Sequence, residues 1–311
     1  MKTLKHENKK ITVSAPGKLL LLGDHAVVYG NPCLVTAVNY RVFAEVSSFK
    51  RDEFIFPDGN KSSFVETALK LFRNTFQIEQ KVRVKTWADY KESYGLGSSS
   101  AVTVAFVKAL AELFSITLSK KELFNLCYDV VLKVQGVGSG FDIAAAIWGG
   151  TLYFVTGGKK IKPYTEFIDN LPLVVAYSGS KGNTAELVKK VAQLREEKKD
   201  LVNELFAESE WIVNTARDFL IAKSYQSLGL YMNNNHHLLQ QFAVSTPKLD
   251  ELVEAARKAG AYGAKLSGAG GGDCMIAIIP EEKRNDIETA LKNAGGTILS
   301  VVTNEEGVRI E

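Results

Sequence analysis

No apolar run in this sequence approaches the ~18 residues that a membrane-spanning helix needs, and Met1 to Lys10 are polar and charged. Neither a membrane anchor nor a secretory signal is expected. Cysteine is rare: Cys33, Cys127 and Cys274 cannot all pair, and none sits in C-x-x-C spacing. That argues against a disulfide framework and against a zinc ribbon. Each thiol lies in an apolar stretch and reads as a small buried hydrophobe. A reducing, cytoplasmic location is predicted. Histidine is scarce, with His6, His25, His236 and His237 making up the whole set. No H-E-x-x-H metal motif is present, and no G-x-S-x-G elbow, so a serine hydrolase is not expected. An excess of one charge is also lacking. Lys and Arg total 38 and Asp and Glu total 35, a net charge of +3. Nucleic-acid binders carry a strongly basic stripe, so no nucleic-acid partner is predicted. With seven prolines and no low-complexity tract, a long disordered segment is not expected either.

The composition is that of a globular protein with a full core, 46% hydrophobic and 23% charged. Its 311 residues make one large domain or two ordinary ones. Ile11 to Ala15 and Leu19 to Leu22 read as strands around a Pro16-Gly17 turn. Arg41 to Phe49 and Lys81 to Trp87 read as further strands. A helix pattern from Ala101 to Phe114 is apolar nearly all round and should be buried. Ser119 to Glu122 is a capping box opening a helix to about Val134. Thr151 to Val155 and Leu173 to Tyr177 read as strands, with a soft boundary near residue 165. The division predicted is 1–165 and 166–311. The second half is mostly helical. It holds a capping box at Asn183 to Glu186, helices over 200–223 and 224–242, and an N-cap with proline at Thr246-Pro247. A strand from Cys274 to Ile279, a helix from Glu281 to Asn293 and a strand from Thr297 to Val302 close the chain. The order lacks regular βα alternation, which predicts an α+β protein of two lobes.

Three glycine-rich segments look chemical. Gly95-Leu96-Gly97-Ser98-Ser99-Ser100 runs into a helix. There, unpaired N–H groups and the positive dipole end can hold a phosphate. It is not a Walker A loop, because no Gly-Lys-Ser/Thr follows. Gly136 to Asp142 places an acid directly after a glycine turn. Gly268 to Asp273 holds four glycines with one small spacer. A tight turn would explain any one of them; three together point to a ligand cradle. His236-His237 follows three asparagines in a helical pattern, and packing explains the pair at least as well as catalysis.

Ala15 to Gly30, with Pro16-Gly17-Lys18 and Gly23-Asp24-His25, resembles the first motif of the galactokinase, homoserine kinase, mevalonate kinase and phosphomevalonate kinase (GHMP) family. Gly95 to Ser100 matches its second motif and Lys265 to Gly272 its third. Asn183 to Val188, Met232 to Leu239 and Ser245 to Asp250 resemble the mevalonate kinases in particular. The resemblance covers nearly the whole chain. It implies an N-terminal lobe like ribosomal S5 domain 2 and a C-terminal ferredoxin-like lobe, with ATP and acceptor in the cleft between them. It also implies roles. Asp142 would take or orient the proton of the acceptor hydroxyl, and Lys18 would stabilise charge. Gly95, Leu96, Gly97, Ser98, Ser99 and Ser100 would wrap the ATP phosphates. Ser99 would ligate Mg²⁺. Asp24, His25, Thr184, Gly268, Ala269 and Gly270 would meet the acceptor, expected to be mevalonate. The oligomeric state stays open, with a homodimer compatible.

Plainer readings stand beside these. Lys18 could be a surface lysine, Asp142 a helix cap, and Asp24 and His25 caps of the next turn, while Tyr29 reads as packing. The chain also departs from the mevalonate kinase pattern. Val131 stands where a Mg²⁺-binding Glu is usual, with Asp129 and Lys133 on other faces. Asp273 stands where Gly is usual, and Ser93-Tyr94 replaces the usual Ile-Pro. These phosphate-loop features resemble phosphomevalonate kinases, whereas the acceptor-side motifs favour mevalonate. Ligand-binding relatives without turnover would be expected to lose Lys18 or Asp142, and both are present.

Overall fold

In the computed structural model, residues 9–56, 59, 61–90 and 94–311 are described. Most of the polar N-terminal stretch, with His6, lies outside the described residues, and so does Ser93. Lys10–Leu22 forms one strand, β1, not two strands around a turn. Pro16-Gly17 is instead a register shift against β2 (Pro32–Ser48): Pro16 lies opposite Arg41 and Gly17 opposite Val38. Proline has no N–H for the ladder, and a bulge lets the strand continue past it. β2 starts earlier than its alternating half suggests, because residues 32–38 are almost continuously buried.

The first lobe continues with β3 (Glu53–Ile55), α1 (Ser63–Phe76), β4 (Val82–Ala88), α2 (Ser98–Leu113), α3 (Lys120–Gln135), α4 (Phe141–Trp148), β5 (Thr151–Val155) and β6 (Lys160–Pro163). The expected capping box is complete: Ser119 and Glu122 each satisfy the other's backbone N–H. The second lobe comprises β7 (Leu173–Tyr177), α5 (Thr184–Glu197), α6 (Lys199–Ile221), α7 (Tyr225–Gln241), α8 (Pro247–Lys258), β8 (Gly263–Ser267), β9 (Cys274–Ile278), α9 (Arg284–Asn293) and β10 (Thr297–Leu299). A short β11 (Arg309–Ile310) then returns to the first lobe and pairs with β1.

The first sheet has seven strands, with the path β11-β1-β2-β4-β3 and β5-β6 attached to β2. The second has four, in the order β10-β7-β9-β8. β1 explains how the lobes meet. Leu20 packs in the core shared with α1 to α4. Leu19, Leu21 and Leu22 pack in the core of the second lobe. A strand buried on both faces reads as a continuous apolar run, which is why Leu19 to Leu22 shows no alternation. Ser267 Oγ stitches β8 to β1, accepting from Leu20 N at 3.0 Å and donating to Leu20 O at 3.1 Å. Among the described residues no helix is long and apolar enough to cross a membrane. All three cysteines are free and buried.

Candidate active site

The three glycine-rich segments, far apart in sequence, line one cleft of about 230 Å³. The first meets it at the start of α2. Gly97 is the N-cap in the left-handed region, φ 83, and no side chain caps the helix. A Cβ at Gly97 would stand 3.1 Å from Cε of Lys18, so glycine serves both the backbone and the neighbouring lysine. Ser98, Ser99 and Ser100 follow in the first turn and face the cleft. Their N–H groups form the donor end of a helix, where anions bind. Leu96 is the exception in this segment. It is buried, and its carbonyl accepts from Lys18 N at 2.9 Å, holding the loop against β1.

Lys18 is 6% exposed and is no surface lysine. Its Nζ lies 3.6 Å from Asp142 Oδ1 and donates to the Gly95 carbonyl at 3.2 Å. The Phe141 ring lies 5.5 Å from the ammonium. Asp142 sits inside the first turn of α4, and the N-cap is Gly140. Its Oδ1 is buried and accepts no hydrogen bond. Burial pushes this carboxyl above its ordinary range, against the opposing pull of Lys18. A basic carboxylate beside a fixed ammonium is equipped to take a proton from a hydroxyl.

The other wall carries His25, Thr184, Gly268 and Ala269. His25 has φ 58, and its Nε2 meets the Ala269 carbonyl at 2.8 Å. Burial lowers its imidazole pKa, against the opposing pull of the Ala269 carbonyl and Asp24, and so favours the neutral ring. Asp24 and Gly270 were expected on this wall, and the structure places both behind it. Asp24 is fully buried, paired with Lys265 Nζ at 2.8 Å and accepting from Gly268 N at 2.8 Å. Gly270 packs under the Val244 carbonyl. Neither Asp24 nor His25 caps the next turn by its side chain. Tyr29 stacks on Phe206 at 4.7 Å, as packing predicts. His236 is also structural, with its Nε2 3.0 Å from Asp250 Oδ1 and its Nδ1 accepting from Leu266 N at 3.4 Å.

Val131 lines the cleft and is 5% exposed. Asp129 is exposed and does not line it. Asp273 does line the cleft, in a left-handed conformation of φ 58, with Oδ1 accepting from Gly182 N at 3.3 Å. Its carboxyl leaves no room for a side chain at Gly95 and is raised by burial. Lys181 also lines the cleft. Sequence reasoning did not single out Lys265 as a site residue. Its signal was available: a lysine inside an otherwise apolar strand needs a buried partner.

Residues 63–150 match the model for the GHMP kinases N terminal domain, and residues 216–297 that for GHMP kinases C terminal. The chain belongs to the GHMP kinase family. Curated relatives include the mevalonate kinase of Thermococcus onnurineus, 38% identical over 97% of this GHMP kinase and 98% of that protein. The mevalonate kinase of Pyrococcus abyssi is 37% identical over 97% and 98%. Among solved structures, L. major mevalonate kinase in complex with R-mevalonate superposes with a TM-score of 0.81. It is 27% identical and covers 98% of each chain.

Proposed function

We propose that this GHMP kinase transfers the γ-phosphate of ATP to the 5-hydroxyl of mevalonate. The observation that carries the reading is the convergence of the three glycine segments on the Lys18–Asp142 pair. Phosphoryl transfer needs position and charge neutralisation more than covalent chemistry. The α2 N-terminus, from Gly95 to Ser100, holds the β- and γ-phosphates. Asp142 takes the hydroxyl proton as the phosphate arrives, and Lys18 stabilises the developing charge. His25, Thr184 and the Gly268–Ala269 backbone orient the acceptor. The relatives' names supply the acceptor, and their near-complete coverage in both directions supports carrying it over. A division near residue 165 belongs to the same reading, with the C-terminal stretch crossing back so that β11 completes the sheet of the first lobe.

Magnesium fits this cleft as a nucleotide-borne ion. Ser99 offers a hydroxyl and Asp142 a carboxylate oxygen that accepts no hydrogen bond, while the described residues hold no group of three or more His, Cys, Asp or Glu suited to a metal. Bound with the nucleotide, Mg²⁺ would neutralise charge on the phosphates. The reading places the protein in the cytoplasm, where ATP is abundant and thiols such as the three here stay reduced.

A coupled assay on mevalonate, phosphomevalonate, homoserine and galactose tests the proposal. Phosphomevalonate adds a dianion, which calls for clustered cations. Among the described residues lining the cleft, Lys18 and Lys181 carry the positive side-chain charge, and Asp142 and Asp273 oppose them. The expected result is a kcat/KM for mevalonate far above that for the other three. A preference for phosphomevalonate would reverse the assignment and make Lys181 its phosphate ligand.

A further inference from the structure

Two charges meet in the interior where the lobes join. Asp24 follows the end of β1, and Lys265 lies in β8. Both side chains are 0% exposed, with Oδ2 and Nζ 2.8 Å apart. Burying an ion pair costs the hydration of both ions, and neutral residues of similar volume are often equally stable or more so. Stability alone therefore explains this pair poorly.

Its bonds lead elsewhere. Lys265 Nζ also donates to the Leu20 carbonyl at 3.4 Å and to the Leu266 carbonyl, so the ammonium is fixed from both lobes. It faces one oxygen of Asp24. The other oxygen accepts the Gly268 N–H at 2.8 Å. Gly268 has φ +100 and begins the acceptor wall of the cleft. The next carbonyl, Ala269, meets His25 Nε2 at 2.8 Å. The chain of contacts thus runs from Lys265 to Asp24, to the Gly268 amide, and to a wall that faces the cleft. Neither charged residue lines the cleft itself.

We propose that Asp24 and Lys265 form a positioning pair that sets the Gly268–Ala269 wall and His25 in acceptor-binding geometry before the acceptor arrives. The pair touches no reacting atom. It presents a carboxylate to one backbone amide at a fixed angle, from a site that water cannot loosen. The proposal rests on the reading of this cleft as a mevalonate site.

Two measurements on the full chain test it. In the free wild-type protein, hydrogen exchange at the Gly268 amide is read by NMR with and without mevalonate. Slow exchange in the absence of acceptor supports the proposal. An amide that exchanges freely until mevalonate is added overturns it. The second measurement uses the double variant Asp24→Asn/Lys265→Met, which removes both charges and strands neither. The introduced amide can turn its NH₂ toward Gly268, with no ammonium to hold its oxygen. A melting temperature near that of the wild type is expected. The KM for mevalonate should rise at least ~10-fold, in line with loss of a hydrogen bond to a charged acceptor. Affinity for an unhydrolysable ATP analogue should hold within about twofold, because the pair's hydrogen bonds and ion pair run to Leu20, Leu266 and Gly268 and not to the α2 loop. A wild-type KM overturns the proposal. So does equal weakening of both ligands, which is what general loosening would produce. If the double variant does not fold, the Gly268 exchange decides. If the wild type does not turn over mevalonate, the functional reading falls, while Gly268 protection in the free protein is still measured.

Discussion

At the scale of single residues, the Lys18–Asp142 contact concentrates the chemistry. A carboxylate oxygen without a hydrogen bond, held near an ammonium at 3.6 Å, stores basicity that an exposed aspartate lacks. Asp142→Asn and Lys18→Met should each lower kcat by at least ~10², the low end for a positioned acid–base group. Analogue titration should show nucleotide affinity little changed. Near-normal turnover in Asp142→Asn would remove it from the proton path. Because burial raises this carboxyl, the acid limb of kcat/KM should fall above the ordinary carboxylate range and vanish in Asp142→Asn. Ser99 is the second residue to test. With valine at 131, its hydroxyl is the side-chain oxygen that the first turn of α2 offers to Mg²⁺ beside Ser98 and Ser100. Ser99→Ala should raise the free Mg²⁺ needed for half-maximal rate. Tight Mg²⁺ binding to the wild type without nucleotide would point to another carboxylate, such as Asp273.

Elements decide which of these residues reach the cleft. α3 carries Val131 on its buried face, with Cγ1 3.2 Å from where a Cβ at Gly138 would stand. The helix thereby lies close against the second glycine segment, where a side chain at 138 would crowd Val131. Val131→Glu places a carboxylate on the cleft wall, and the Mg²⁺ requirement should drop several-fold in a titration of activity. A parallel melting curve provides the check. A large fall in melting temperature with unchanged Mg²⁺ dependence would mean that the acid is buried without a partner. β8 acts in the same way from the other lobe. A strand places alternate side chains on opposite faces. Lys265 and Ser267 both reach β1 and bond Leu20. Leu266 between them gives its N–H to His236 of α7.

At the scale of the molecule, the second lobe's packing makes stability depend on pH. The His236 pKa is lowered from 6.5 to about 4, chiefly by burial, with Asp250 opposing. The folded ring stays neutral where the unfolded one takes a proton. Stability is therefore full above about pH 6.5 and is lost as the pH falls toward about 4. A shift of this size corresponds to about 3 kcal/mol once both values are passed. Melting temperature measured from pH 7 to pH 4 should fall for the wild type. The slope should flatten in His236→Gln, a neutral residue of similar length. An unchanged slope would mean that the carboxylates alone set the acid limit.

The sequence by itself determined the parts whose causes are local. Ser119 and Glu122 specify the start of α3 because a capping box needs a spacing of three. Thr246 and Pro247 specify the start of α8 for a similar reason. The glycine segments were legible because backbone freedom is written in residue type, while Lys18, Asp142 and Ser99 were marked out by the resemblance to the GHMP motifs. Tertiary structure decided what depends on distant partners. Pro16-Gly17 looked like a turn and became a bulge, because β2 pairs on both sides of it. Lys265 looked like the lead-in to a loop and became the buried partner of Asp24. Asp24 in turn moved from the acceptor wall to its support. A carboxylate reaches a ligand only if nothing nearer satisfies it, and here an ammonium and an amide arrive first from the other lobe.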